Sequence, residues 1–195
     1  MLVIAMTVHE FAHGWTANLL GDPTAKHSGR LTLNPLAHID LFWTLLLPLL
    51  LFISSAGQFV FGAAKPVPIN YWSLKNPKRD IVLIGASGPL ANFLLAAALS
   101  LLARTVSMPS VVSLLLLNLI VINIVLGVFN LIPIPPLDGS RILMGLLPQE
   151  LADAYSRIEQ FSFVILIAFI WMGLFSRLIW PIVNYVLRLM LGGSV

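Results

Sequence analysis

Long stretches without any acidic, basic or histidine side chain dominate this sequence, at residues 41–64, 81–103, 105–137, 160–176 and 178–187. A helix that crosses a bilayer needs about 20 mostly apolar residues. Hydrophobic residues make up 58% of the chain and charged residues 10%, whereas soluble domains carry roughly a quarter charged residues. The sequence therefore indicates a membrane protein with several spans.

We predict an all-α polytopic membrane protein with a single domain over residues 1–195. Its apolar segments give the predicted spans in chain order, followed by one C-terminal helix: 1–20, 81–103, 111–132, 160–176 and the helix 178–191. The first of these is apolar except for three ionisable residues at its middle. Ionisable groups at that depth are costly, and they usually mark a functional site.

Between the first and second core spans, the sequence predicts re-entrant and strand-like elements. Residues 41–55 are apolar but interrupted by Pro48, with cationic segments on both sides. Equal flanking charge favours a re-entrant element that returns to the same face, with a short span as the alternative. The flanking stretches GRLTLN (29–34) and FVFGAAKPVPIN (59–70) have the partly alternating composition of short β-strands.

The net charge of +3 is explained by the positions of the cations. Eight of the eleven Lys and Arg residues lie in residues 21–40, 62–80 and 138–159. If these three segments share one face, the positive-inside rule makes that face cytoplasmic. The basic charge is then explained by the orientation of the protein in the membrane, and no nucleic-acid partner is expected. The chain has no cysteine, which excludes disulfides, thiolate metal ligands and a cysteine nucleophile.

The first predicted helix carries the motif HEFAH, with His9 and His13 four residues apart and Glu10 beside them. Residues at this spacing lie on one helix face, so both imidazoles can bind one Zn²⁺ while the carboxylate reaches a water molecule. The alternative is an ordinary amphipathic helix whose histidines are satisfied by hydrogen bonds. A metal accounts better for three ionisable groups inside one span.

Asp138 is the candidate third ligand, because catalytic zinc sites usually have three protein ligands. No acidic residue or histidine lies between Ile81 and Leu137, and Asp138 is the first carboxylate after that stretch. It follows Pro133, Pro135 and Pro136, which end a helix and free main-chain groups. A capping role before Gly139 remains the alternative.

Five motifs in one order carry a resemblance to a known family: HEFAH, NPLAHID, FGAAKPVPIN, GPLAN and FNLIPIPPLDGSRIL. Over residues 3–145 the chain resembles the site-2 proteases, intramembrane zinc metalloproteases, and specifically their small prokaryotic members without PDZ or CBS domains. The resemblance implies one Zn²⁺ per chain, bound by His9, His13 and Asp138. It also implies that Glu10 activates the attacking water.

Three further residues are candidates for the site. The resemblance implies that Asn92 of GPLAN lies near the zinc and binds substrate or stabilises the oxyanion. Asn130 matches the asparagine that opens the last motif and is expected beside the ligands, although an interhelical hydrogen bond explains it equally well. His38 of NPLAHID is expected to make a hydrogen bond near the site, because this motif should fold back toward the zinc.

The resemblance implies an endopeptidase that cleaves transmembrane segments of other proteins. The expected partners are a transmembrane-helix substrate and the lipid bilayer. The expected location is a prokaryotic cell membrane, with the active site toward the cytoplasm. Two alternatives remain open: a membrane protein whose ionisable residues form an ion or proton pathway, and an inactive zinc-bound scaffold. The intact Glu10 favours the enzyme over the scaffold.

Overall fold

The structure, a computed structural model, describes residues 1–54, 62 and 64–192, and the regular secondary structure in this part of the chain is entirely helical. Those residues form nine α-helices: α1 (Leu2–Leu19), α2 (Thr24–His27), α3 (Leu47–Ser54), α4 (Pro77–Thr105), α5 (Ser110–Asn130), α6 (Asp138–Leu146), α7 (Gln149–Ser156), α8 (Ser162–Trp171) and α9 (Trp180–Leu191). Shorter 3-10 and π-helical turns join several of them: Pro35–His38, Leu41–Leu46, Tyr71–Ser73, Arg157–Phe161 and Phe175–Ile179.

Within the described residues, two helices are long and apolar enough to cross a membrane, namely α4 and α5. They coincide with the spans predicted at 81–103 and 111–132. A third candidate is a bent pair, Gln149–Phe161 with Val164–Trp171, whose two parts are inclined by 74°. The chain is therefore an all-helical protein with two to three helices able to span a bilayer.

The predicted first span forms a continuous helix, α1, which ends where Gly21 adopts a positive φ of 110°. This backbone conformation favours glycine because it has no Cβ. By apolar composition α1 is not among the described candidate spans, because polar residues interrupt its apolar sequence. Its insertion into the bilayer stays a prediction.

The predicted β-strands are not formed in the described residues, and this part of the predicted fold is wrong there. Residues 29–34 form turns, bends and irregular structure, and residues 64–70 have no regular secondary structure. Pro66 and Pro68 lack the N–H groups that a ladder needs. The remaining predicted strand residues, 59–61 and 63, lie outside the described part of the chain.

Two other predicted segments are helical with different boundaries. Residues 41–54 form a π-helical turn followed by α3, and whether this segment spans or re-enters the membrane stays a prediction. The span predicted at 160–176 is shorter than expected, because α8 ends at Trp171 and Gly173 follows with a positive φ of 69°. The C-terminal helix predicted at 178–191 corresponds to α9.

One apolar cluster joins α4, α5, α8 and α9. Its buried members are Ala96, Ile120, Ile124, Val128, Phe169, Ile179, Val183 and Leu191. Lipid tails are as apolar as these side chains, so close van der Waals packing and interhelical hydrogen bonds must hold such helices together. A second, smaller cluster joins α1 to α4, and α4 also packs against α6. The helix α4 thus contacts both segments that carry the candidate ligands.

Replacing Gly145 with alanine should destabilise the contact between α4 and α6. An added Cβ would lie 2.6 Å from the carbonyl oxygen of Lys78, and such overpacking typically costs about 1 to 3 kcal/mol. We expect a lower melting temperature in detergent for Gly145→Ala. The matched control is Leu146→Ala at the exposed neighbouring position. An unchanged melting temperature for Gly145→Ala would contradict this packing.

Candidate metal centre

The two histidines of HEFAH lie on one face of α1 and are both buried. Their spacing brings the rings together edge to face, with an interplanar angle of 87°. The Nε2 atoms of His9 and His13 are 3.0 Å apart. The helical spacing read from the sequence therefore directs both nitrogens toward one point.

Asp138 reaches the same point from the first turn of α6. Its Oδ2 lies 2.9 Å from Nε2 of His9 and 3.2 Å from Nε2 of His13. The prolines that precede it end α5 and allow the chain to start the new helix at the depth of the imidazoles. No side chain caps the start of α6 by a hydrogen bond, so the carboxylate interacts with the histidines and not with its own helix.

The tautomer of each histidine is fixed by an oxygen on the other side of its ring. His9 Nδ1 lies 2.7 Å from Oδ1 of Asn92, and His13 Nδ1 lies 2.7 Å from the carbonyl oxygen of Ile84. Both oxygens can only accept, so each Nδ1 carries a hydrogen and donates it. In the neutral imidazole each Nε2 then carries the lone pair that a metal can bind.

Three electron-pair donors, two imidazole nitrogens and one carboxylate oxygen, consequently meet at one point, and a cation can accept an electron pair from each of them. Tetrahedral zinc with bonds of about 2.0 to 2.1 Å separates its ligand atoms by about 3.3 Å. The three ligand atoms here are 2.9 to 3.2 Å apart. Two neutral imidazoles and one carboxylate also match the nitrogen and oxygen ligands that zinc prefers. The residues present fit this metal, and within the described residues they form a group that could hold a metal ion.

Gly88 of the GPLAN motif makes the space in which the imidazoles sit. A Cβ at this position would lie 2.5 Å from His13 Nε2 and 2.6 Å from His9 Cε1. Any larger side chain would collide with both ligands. The glycine of this motif is therefore required by the close approach of α4 to α1.

Glu10 lies on the wall of the cavity that contains the three candidate ligands. Its Oε2 accepts a 2.8 Å hydrogen bond from the main-chain N–H of Val67. Val67 is buried in the segment KPVPIN, residues 65–70, which has no regular secondary structure. This segment therefore orients the Glu10 carboxylate in the cavity that contains the three candidate metal ligands.

The KPVPIN segment is itself attached at both ends. Lys65 donates its N–H to the carbonyl oxygen of His38 at 2.9 Å, and its own carbonyl accepts from Arg30 at 2.7 Å. Asn70 donates its N–H to the fully buried carboxylate of Asp22 at 2.6 Å. The contacts that a strand ladder would supply are replaced by these individual bonds.

The cavity has a volume of about 610 Å³ and is mostly apolar, with a cationic group on its wall. Arg141, three residues after Asp138 on α6, donates to Glu159 at 2.8 Å and lies 5.8 Å from the centre of the Tyr71 ring. Burial raises the pKa of the Tyr71 phenol above its ordinary value, against the opposing effect of the Arg141 charge. The phenol stays neutral and can donate a hydrogen bond to a ligand in the cavity.

The three further candidate residues, Asn92, Asn130 and His38, differ in position. Asn130 lines the cavity, with one amide hydrogen donated to Leu126 O at 3.0 Å. Asn92 is fully buried behind His9 and does not line the cavity. His38 is also buried away from the cavity, and its Nε2 bonds to Thr32 O at 2.8 Å. The expected contact of His38 with the site is not formed by its side chain.

The hydrogen bonds of Asn92 are not compatible with its predicted role in stabilising the oxyanion. One of its amide hydrogens is donated to Ala5 O at 3.0 Å and the other to Asn123 Oδ1 at 2.8 Å, while its oxygen faces His9. The amide has no donor left for a reacting oxygen. Its contacts correspond to positioning of the His9 ligand.

Sequence reasoning missed Tyr71, Arg141 and Asn123 as parts of the site. Arg141 belongs to the quoted LDGSRIL motif and follows Asp138 by three residues, which places both on one helix face. Asn123 is a polar residue inside an apolar helix, which is a usable signal. That signal was ambiguous, because α5 contains other asparagines as well. For Tyr71 we find no signal in the sequence.

A helix that presents HEFAH, together with a distant aspartate and a glutamate on the wall of one cavity, defines a metallopeptidase-type centre. Residues 105–173 match the family described as Peptidase family M50. The chain is also 36% identical over 192 residues to the Bacillus subtilis protein named "Putative zinc metalloprotease YwhC". That alignment covers 94% of this chain and 84% of the relative.

Two further relatives support the same assignment. The Mycobacterium tuberculosis protein "Putative zinc metalloprotease Rip2" is 32% identical over 85% of this chain, which spans 62% of the length of that relative. The Methanocaldococcus jannaschii protein "Zinc metalloprotease MJ0392" is 37% identical over 39% of this chain and 22% of its own length. No solved structure shows a significant match. The chain belongs to peptidase family M50, the site-2 proteases, as the motifs predicted.

Replacing Gly88 with alanine should weaken metal binding, because the added Cβ would displace both imidazoles. A mispositioned ligand set should cost at least about tenfold in zinc affinity, comparable to the loss of an outer-shell partner. The measurement is zinc dissociation by chelator competition. The control is Leu90→Ala, an exposed position two residues along the same helix. Equal zinc affinity in Gly88→Ala and wild type would contradict this geometry.

Proposed function

We propose that this protein is a zinc-dependent intramembrane endopeptidase that cleaves transmembrane segments of other proteins. The observation that carries the proposal is the meeting of His9, His13 and Asp138 at a cavity that also exposes Glu10. Membership of peptidase family M50 and two to three helices able to span a bilayer support it. The cofactor is one Zn²⁺ per chain, held by the three ligands.

In the proposed mechanism, Glu10 is the general base. Bound zinc supplies Lewis acidity for peptide hydrolysis. Glu10 accepts a proton from the attacking water and later delivers it to the leaving amine. The Val67 N–H keeps the carboxylate in the position required for both transfers.

Substrate contacts in the cavity come from groups that still have free hydrogen-bonding capacity. Asn130 uses one amide hydrogen on Leu126 O, which leaves its second hydrogen for a carbonyl or oxyanion of the substrate. Of the two amide side chains expected at the site, Asn130 therefore takes the substrate-binding role. Asn92 takes the role of orienting His9.

The chemistry favours a substrate that is locally unwound. A peptide bond inside an intact helix is sheltered by its neighbours, because its N–H and C=O groups are engaged in the hydrogen bonds of the helix. The scissile segment must therefore unwind to reach Glu10.

The proposed location is a prokaryotic cell membrane with the active site toward the cytoplasm. The cations concentrate in the segments around the candidate ligands, and the positive-inside rule assigns such segments to the cytoplasmic face. The partners are then a transmembrane protein substrate and the surrounding lipid. An ion pathway and an inactive scaffold are the competing functions.

Two single substitutions, Glu10→Gln and Asp138→Ala, distinguish a residue needed for catalysis from a residue needed for zinc binding. Glu10→Gln should retain zinc and lose cleavage, because general-base catalysis contributes about 10² to 10⁴ in rate. Asp138→Ala should lose zinc affinity, because it removes a ligand. The measurements are zinc content and cleavage of a model transmembrane substrate in detergent.

Leu146→Ala, at an exposed position on the same helix as Asp138, is the control for this pair. A wild-type protein that binds no zinc would refute the metallopeptidase. Wild-type cleavage by Glu10→Gln would refute the assigned base. Zinc binding without cleavage by wild type would favour the scaffold.

Removing the Val67 N–H by Val67→Pro should lower kcat while zinc remains bound. The substitution deletes the hydrogen bond to Glu10 Oε2, and misplacement of a reacting group by about 1 Å can cost about a hundredfold. Val67→Ala is the matched control because it keeps the N–H. Equal kcat values for the two variants would show that this bond does not orient Glu10.

A further inference from the structure

Asn123 is a buried polar side chain that the proposed mechanism does not use. It is fully buried on α5, among neighbours on the same helix that are apolar, such as Ile120 and Ile124. An amide in such surroundings is costly unless its hydrogen bonds are formed. The bonds that it does form lead to a metal ligand.

The orientation of the Asn123 amide is fixed by its own helix. Its Nδ2 donates to Leu119 O at 2.8 Å. Rotating the amide by 180° would bring its oxygen against that carbonyl, where two acceptors would repel each other. Oδ1 is therefore held facing α4, where it accepts the 2.8 Å bond from Nδ2 of Asn92.

Asn92 transmits this orientation to His9. With both hydrogens of Nδ2 engaged, one by Asn123 and one by Ala5 O, the amide oxygen must face His9 Nδ1. A reversed amide would offer hydrogens to Nδ1 and move the imidazole proton to Nε2. Nε2 is the atom that faces Asp138, and a protonated nitrogen cannot bind a metal.

We propose that Asn123 is a positioning residue that, through Asn92, fixes His9 in the tautomer able to bind zinc. This inference rests on the proposed zinc site. His13 needs no such relay, because its Nδ1 donates directly to a main-chain carbonyl, Ile84 O, which has no reversed orientation. The relay makes the ligand on α1 depend on the position of α5, a helix that contributes no ligand itself.

The competing explanation is that Asn123 only holds helices together. Interhelical hydrogen bonds in membrane proteins make only a small contribution to stability on average. Such a role would lower thermal stability and leave the zinc affinity of the folded protein unchanged. Zinc affinity and the melting temperature of the metal-free protein therefore distinguish the two roles.

The experiment measures zinc dissociation by chelator competition for the full chain carrying Asn123→Leu, Asn123→Ser or Asn123→Asp. Leucine removes the acceptor for Asn92, and serine can still bond to Leu119 O but is too short to reach Asn92. Both should weaken zinc binding by about tenfold. An aspartic acid buried in apolar surroundings is expected to stay protonated, so it keeps one donor and one acceptor and should restore wild-type affinity.

Asn118→Leu is the matched control, because Asn118 makes the same type of bond on α5, to Leu114 O at 2.9 Å, but is exposed. Zinc affinity that is unchanged in Asn123→Leu and Asn123→Ser, or reduced equally in Asn118→Leu, would overturn the proposal. Melting of each metal-free variant shows whether it is folded. Zinc binding by wild type tests the proposed function separately, so the two can fail independently.

Discussion

Three acceptors that meet at one buried point are the constraint on which the rest of the structure depends. Two imidazole nitrogens and a carboxylate oxygen lie within 3.2 Å of one another, and such a group is unfavourable in a low-dielectric interior without a cation. The close approach of α4 at Gly88, the proline break after α5 and the start of α6 at Asp138 all bring these atoms together.

The two imidazoles and Glu10 are each held in place by a different kind of hydrogen-bond partner. His13 is held by a main-chain carbonyl, and His9 by the amide of Asn92. Glu10 is held by a main-chain N–H from the segment KPVPIN. Main-chain groups have a fixed donor and acceptor sense, whereas a side-chain amide must be oriented by further bonds. This difference explains why a second buried asparagine stands behind His9 but not behind His13.

The alternating prolines of KPVPIN explain both a wrong prediction and a functional arrangement. Their spacing resembles the alternation of a strand, but a residue without an N–H cannot take part in a ladder. The segment therefore forms no strand and has no regular secondary structure. Its one central N–H, that of Val67, is then available for Glu10.

The sequence by itself determined the helical class, the two helices α4 and α5 that are able to cross a membrane, the His9 and His13 pair and the carboxylate partner. Helical periodicity and apolar length are local properties of a sequence. Only the tertiary structure decided which asparagine faces the cavity and which stands behind a ligand. Asn92, Asn123 and Asn130 are alike in a linear pattern, and their roles differ through hydrogen bonds between helices far apart in the chain. Such partners are fixed by packing, which no local pattern encodes.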